Sequence, residues 1–140
     1  MNAKERAEKL HRKTKTFVLS CVDADGYPMT KAVVPGKYKD SINEIYFCTN
    51  TSSRFASVVS LNPKSGVYFY SRKLIVWRGC YLRGEMEIVT DMAVKQKYWQ
   101  WMYRNAYAEK SYTDPDFCVL KFTPTVGRLY ANFDVKDFKI

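Results

Sequence analysis

Ile45-Tyr46-Phe47-Cys48-Thr49-Asn50-Thr51-Ser52-Ser53-Arg54 carries a strand into a helix through hydroxyl residues rather than glycines. The first four residues are an apolar, strand-like run. After Arg54 a helix-like run places Phe55, Val58 and Val59 at the i, i+3, i+4 spacing, and Asn62-Pro63 stops it. Ser52 or Ser53 can cap that helix, so its first backbone N–H groups, which lack partners within the helix, point at whatever lies above the turn. The helix dipole favours negative charge there, and Arg54 adds a planar guanidinium suited to phosphate oxygens. Two readings stand side by side: a phosphate seat, or an ordinary cap with a solvated arginine. A dinucleotide fold would need a glycine-rich turn at this place, and GxGxxG, the Walker lysine motif and GxSxG are all absent.

Around this stretch the chain reads as strands joined by short turns. Phe17, Leu19 and Cys21 alternate within Thr16–Val22, and Asp23-Ala24-Asp25-Gly26 makes a tight turn in which Gly26 supplies a positive φ. Met29–Val34, Glu44–Thr49 and Ser65–Tyr70 follow as strands, with a turn expected at Ser71-Arg72-Lys73. A long extended segment, Leu74–Val89, has Leu82, Met86 and Ile88 facing in and Arg83, Glu85 and Glu87 facing out. Gly79 and Gly84 suggest bulges or bends within it, where a curved sheet changes direction. Asp91 caps a helix predicted over Met92–Tyr107, with Val94, Tyr98, Trp101 and Met102 as its apolar stripe. Strands at Phe117–Phe122 and Arg128–Phe133 precede a tail, residues 134–140. The N-terminal helix, residues 3–14, has a narrow stripe of Ala3, Ala7 and Leu10 and the i,i+4 pairs Glu5–Lys9 and Glu8–Arg12, and is expected to lie on the surface. Consecutive strands with hairpin turns predict an antiparallel barrel or sandwich, mainly β with a few helices.

Composition narrows the function. The chain has 140 residues, 46% hydrophobic and 16% aromatic, enough for a folded core in one domain. No apolar run approaches a membrane span and no signal-peptide core begins the chain, so a soluble, cytoplasmic protein with no membrane partner is expected. Cys21, Cys48, Cys80 and Cys118 are widely spaced and read as reduced, buried thiols. With His11 the only histidine, expected to face solvent, no metal site is predicted. The formal charge is +9, and residues 1–15 hold six basic groups and two acids, a net of +4. The remaining charge is spread along the chain, which fits a protein that binds small anions better than one with a nucleic-acid stripe. No self-sufficient catalytic set is present, so any chemistry falls to a bound cofactor and the catalytic residues stay unassigned.

A family resemblance rests on an ordered set of segments: Asp23-Ala24-Asp25-Gly26-Tyr27-Pro28, Thr30-Lys31-Ala32-Val33, Ile45 to Arg54, Leu61-Asn62-Pro63-Lys64, Val67-Tyr68-Phe69-Tyr70 and Gly84 to Asp91. Together they resemble the pyridoxamine-phosphate-oxidase-like family of FMN-binding split barrels, nearest its short general-stress-protein branch, over roughly residues 14–133. The resemblance implies residues 1–140 as one split β-barrel domain that forms a homodimer, with FMN in clefts at the subunit interface. It implies a flavoprotein acting as a small oxidoreductase, or alternatively a flavin-binding sensor or storage protein without turnover. The implied cofactor-binding residues are Lys31, Ala32 and Val33 beside the flavin ring, Thr49, Ser53 and Arg54 at the ring edge and phosphate, and Tyr130 covering the flavin across the dimer. Departures from the family pattern are also present. Phe55 stands where a lysine is expected, Lys31 where an arginine is more usual, and Gly79 near an expected glutamine. Arg128-Leu129-Tyr130-Ala131-Asn132 replaces the arginine–histidine pair of the oxidases proper, which argues against pyridoxamine-phosphate oxidase activity.

Overall fold

Seven antiparallel strands form one sheet in the order β2-β1-β4-β5-β6-β3, with β7 paired to β6 off that path. A computed structural model describes residues 1–140. The strands are β1 (Phe17–Val22), β2 (Pro28–Val33), β3 (Ile45–Asn50), β4 (Lys64–Lys73), β5 (Val76–Val89), β6 (Phe117–Ala131) and β7 (Asp134–Lys139). Helix α1 (Ala3–Lys13) precedes them, α2 (Arg54–Leu61) joins β3 to β4, and α3 (Met92–Tyr98) with a 3-10 helix (Trp101–Ala106) joins β5 to β6. The sheet curls around its core without closing, because β2 pairs only with β1 and β3 only with β6. The core holds Phe17, Leu19, Phe47, Phe69, Leu82, Met86, Leu120 and Phe122, all almost fully buried. Phe17 stacks on Phe69 at 4.9 Å and meets Phe47 edge-on at 6.0 Å.

Local chemistry explains the expected elements that form. Asp23 Oδ1 accepts the N–H groups of Asp25 and Tyr27 at 3.0 and 2.9 Å, and Gly26 takes φ +84°, which closes the β1–β2 turn. Asp91 caps α3 through the Val94 N–H at 3.1 Å. At Gly84 the β5–β6 register shifts, with Gly84 opposite Pro124 and Arg83 opposite Val126, so Thr125 is the extra residue of a bulge. A Cβ on Gly84 would overlap the Thr123 carbonyl, so the bulge requires glycine there.

Several expectations are corrected. The segment Thr123–Gly127, expected to separate two strands, lies inside the single strand β6, with Pro124 and Thr125 at the bulge, between the stretch paired to β3 and the stretch paired to β7. Residues 134–140 are not a tail: Asp134–Lys139 is β7, turned back at Asn132 (φ 56°) and held by the Arg128–Asp137 pair at 2.7 and 3.1 Å. Gly79 keeps regular pairing with Tyr70 and Tyr130, and its missing side chain admits the Tyr68 ring instead of making a bulge. The β4–β5 strands run through Ser71–Lys73 and turn at Leu74-Ile75, with Leu74 at φ 53°. The helix expected over 92–107 breaks at Trp99-Gln100, whose backbone is extended. The break lets Trp99 and Tyr107 dock on Phe117 at 4.9 and 5.4 Å, while Trp101 and Met102 are left exposed.

Helix α1 lies against the sheet and is not a surface appendage. Ala7, Leu10 and His11 are buried, continuing the stripe by one position beyond Leu10. The expected i,i+4 ion pairs are absent from the salt bridges: the Glu5 carboxylate caps Asn2 N–H at 3.0 Å, and Glu8 accepts from Ser41 at 3.4 Å. His11, expected in solvent, is 1% exposed between Phe17 (5.3 Å) and Phe69 (5.7 Å), and neither ring nitrogen has a hydrogen-bond partner. Burial disfavours its charged form, assisted by the positive charges of Lys39 and Arg12, and lowers its pKa from 6.5 to about 4.

The unfolded chain therefore takes up a proton on His11 first as the pH falls. Stability from this residue is fully present above pH 6.5 and is lost as the pH approaches 4, by on the order of 3 kcal/mol. His11→Phe removes that loss without leaving an unpaired ring nitrogen. Urea unfolding at pH 7 and pH 4 should show the wild type losing that much more than the variant; equal losses would show that His11 is not the responsible group.

Candidate functional site

Where the curled sheet fails to close, the edges of β2 and β3 face each other across a cleft of about 580 Å³. An edge strand leaves alternate backbone N–H and C=O groups without ladder partners. Lys31, Ala32 and Val33 on β2 line one wall, with Met29 and Thr30 beside them. Thr49 and Asn50 end the opposite wall, where β3 passes into the turn before α2, and Ser53 and Arg54 complete that end. Leu19, Phe47 and Leu120, all core residues, form the apolar floor. Six sequence-predicted site residues thus line one cavity: Lys31, Ala32, Val33, Thr49, Ser53 and Arg54. Tyr130 does not. It sits on β6 in a separate depression with Tyr81, Arg83 and Arg128.

The turn between β3 and α2 is fixed by hydrogen bonds from both sides. Ser53 is the helix cap: its Oγ accepts the Ala56 N–H at 3.1 Å and the Thr49 hydroxyl at 3.2 Å. From across the sheet, the Asp116 carbonyl accepts Thr51 N–H at 2.7 Å and the Asp116 carboxylate accepts Ser52 N–H at 2.8 Å. The Thr51 hydroxyl donates to the Pro115 carbonyl at 2.9 Å. Asp116 is itself held by Asp114, whose carboxylate accepts the N–H groups of Glu109 and Asp116 at 2.9 and 2.8 Å. Those two bonds lower the Asp114 pKa. The buried Lys95 ammonium donates to the Asp114 carbonyl at 2.9 Å and pins the loop to α3. With Ser52, Ser53, Ala56 and Ser57 N–H groups satisfied, those of Arg54 and Phe55 remain without protein partners at the mouth of the helix. The Arg54 guanidinium is exposed and joins no ion pair.

Phe55 points the other way. It is 6% exposed and packs into the core while bordering the cleft, so position 55 is a wall residue and offers no cation to the turn. Tyr103 and Tyr107, which the apolar stripe of the predicted Met92–Tyr107 helix does not include, complete the cleft. Their signal was hidden by the break at Trp99-Gln100, which re-aims both rings. The Tyr107 hydroxyl donates to Asn50 Oδ1 at 2.5 Å and stacks the 3-10 segment over the end of β3. Burial pushes both phenols up to about 12, so they are neutral donors at neutral pH. Cys48 also borders the cleft, and burial raises its pKa to about 11, which keeps it a protonated thiol rather than a nucleophile. All four cysteines are free. No three His, Cys, Asp or Glu side chains stand together as a metal-ligand set, and no helix is long and apolar enough to cross a membrane. The cleft offers orientation, an anion-attracting end and a dry floor, without a positioned acid–base pair.

Comparison with known proteins gives these features a context. Solved structures share the fold over nearly the whole chain. One is a protein from Clostridium acetobutylicum related to general stress protein 26 of B. subtilis, of the pyridoxinephosphate oxidase family, at 29% identity over 97% of this chain and 93% of that one, TM-score 0.81. Another is a pyridoxamine 5'-phosphate oxidase-related, FMN binding protein from Nostoc punctiforme, at 14% identity over 97% and 93%, TM-score 0.72. A heme binding protein from Mycobacterium smegmatis has the same fold at 13% identity, covering 99% of this chain and 58% of that one, TM-score 0.78. No curated protein matches the chain significantly. The family described as pyridoxamine 5'-phosphate oxidase matches residues 3–131, nearly the whole chain, and this protein belongs to that family.

Proposed function

We propose that the protein binds FMN in the cleft between β2 and β3 and acts as a small flavin-dependent oxidoreductase. The observation that carries this reading is the pairing of two terminal strands of the sheet, not bonded to each other, with an anion-attracting turn at one end of the same cavity. A planar heterocycle with polar edges takes hydrogen bonds from the edge backbone of β2 at Ala32, between Lys31 and Val33, while its face lies on Leu19, Phe47 and Leu120. Arg54 and the N–H groups of Arg54 and Phe55 receive the phosphate, whose charge of about −2 matches a helix N-terminus and a guanidinium. Thr49 and Ser53, bonded to each other, set the shape of that end. The cofactor, when bound, supplies hydride transfer; the chain binds it, orients it and excludes water. Haem is a weaker fit: His11 is sealed between Phe17 and Phe69 outside the cleft, and Cys48 is a protonated thiol.

The working unit in this proposal is a homodimer. Tyr68, Tyr70 and Trp77 stack in series on the outer face of β4 and β5 at 5.9 and 5.2 Å, and Tyr70 and Tyr81 are 47% and 38% exposed. Such an aromatic face is the composition of a protein interface. In this proposal the partner's Tyr130 covers the first copy's cleft.

Protein reconstituted with FMN and then freed of unbound flavin by gel filtration should retain the flavin absorption bands. Arg54→Ala should weaken FMN binding by ~1.5–3 kcal/mol, the range for a lost charged hydrogen bond; equal affinity in a titration of both proteins would refute the phosphate seat. Anaerobic mixing of the FMN-loaded protein with NADH or NADPH separates the oxidoreductase from a flavin sensor or storage protein, since rapid bleaching is expected only of the first. Sedimentation should give a dimer that Tyr81→Glu dissociates; a monomeric wild type would remove the cross-subunit role of Tyr130.

A further inference from the structure

A second cavity, of about 590 Å³, lies at the other end of the sheet between α1 and the β4–β5 hairpin, and it is lined by five cations and no acid. Arg6, Lys9 and Lys13 come from one stripe of α1, at the i, i+3, i+7 spacing of a single helical face. Lys73 and Arg78 come from the hairpin. In its register Ser71 pairs with Arg78 and Lys73 with Val76, so these four side chains share the sheet face that carries Phe69 and Cys80 in the core. The inner face of the sheet therefore changes from apolar to basic where it emerges from the core. Tyr70 and Trp77 point to the opposite face, so the cavity stands apart from the aromatic surface.

None of the five cations is in an ion pair; the salt bridges involve Lys121, Arg128 and Lys136. Lys9 loses its sequence neighbour Glu5 to the helix cap. Like charges gathered on two facing elements repel one another, and an anion between them relieves that repulsion. Leu10 and Leu129, both buried, and Val76 give the cavity an apolar floor. We infer that this cavity binds an organic polyphosphate with an apolar body, of the class of nucleoside di- and triphosphates. Several negative charges are needed to balance the cations, and the volume lies within the range of sites for ligands of that size. Arg6 and Arg78 grip the phosphates with planar donor forks, Lys9, Lys13 and Lys73 add point charges, and the base rests on the leucines.

Calorimetric titration of the full-length, FMN-loaded protein with ATP and with inorganic tripolyphosphate, across a salt series, tests this. ATP should bind at low salt, more tightly than tripolyphosphate, and weaken as salt rises. Lys9→Gln combined with Arg78→Gln should weaken ATP binding roughly tenfold or more while leaving FMN binding unchanged. Arg54→Ala should leave ATP binding unchanged. No ATP binding at low salt, equal binding by the double variant, or loss of ATP binding through Arg54→Ala would each overturn the assignment. Equal affinities for ATP and tripolyphosphate would overturn the apolar seat. The neighbouring Leu74 and Ile75 are more than 90% exposed, so vesicles of phosphatidylglycerol form the last arm. Capture by those vesicles without ATP binding would replace the small-molecule site with a lipid surface.

Discussion

The failure of the sheet to close is the constraint on which the structure depends. β2 and β3 each pair with a neighbouring strand on one side only, so backbone donors and acceptors of both face the gap, apart from the Tyr46 carbonyl, which accepts the Gly36 N–H at 2.7 Å. In a closed barrel these groups would satisfy each other and the interior would be solid side chain. Here the gap is wide enough to hold a cavity above Leu19, Phe47 and Leu120, which continue the core as its floor. The same residues thus stabilise the fold and shape the cleft. Binding chemistry needs no special catalytic side chain at this place, because the unpaired backbone supplies directional polar groups and the core supplies an apolar face.

A chain of tethers keeps one end of the cleft in shape. The buried Lys95 on α3 holds the Asp114 carbonyl, Asp114 holds Asp116, and Asp116 holds the Thr51–Ser52 backbone. The first and last links join segments far apart in sequence, so the helix mouth at Ser53-Arg54 is positioned by the loop after the 3-10 helix as much as by its own cap. The links also ration donors. Ser52 N–H is consumed by a carboxylate and Ser53 N–H by the Asn50 carbonyl, so the anion-attracting capacity is concentrated in the N–H groups of Arg54 and Phe55 and in the guanidinium. The nearby Asp116 charge reduces the net field at the turn, while Phe55 adds none. This end of the cleft is shaped more by geometry than by excess positive charge.

The basic cavity on the far side of α1 follows from the same economy of partners. The acidic residues of the helix are used locally: Glu5 in the capping box and Glu8 at Ser41. The cations of α1 are left facing those of the hairpin, and the protein's positive charge is more clustered in space than along the chain.

Much was legible in the residue pattern. Alternation in β1 and in the second half of β5, the Gly26 turn, the Ser53 and Asp91 caps and the strand–turn–helix at Ile45–Arg54 depend on neighbours within a few residues, and their physics is local. Lys31, Ala32, Val33, Thr49, Ser53 and Arg54 could be named together because motif order stands in for distance. What escaped the pattern depends on partners far along the chain. His11 was judged by its charge and its terminus, but Phe17 and Phe69 decide its burial. The helix at 92–107 had a sound periodicity, but burying Trp99 and Tyr107 against Phe117 outweighs its continuity and sends Tyr103 and Tyr107 to the cleft. Residues 134–139 have little pattern of their own and become a strand only because β6 offers an edge. Local sequence settles caps, turns and alternation, since these involve atoms a few bonds apart. Only the folded sheet settles which edges stay unpaired, which aromatics are shared and which charges lose their partners, because those outcomes are competitions among distant groups for the same space.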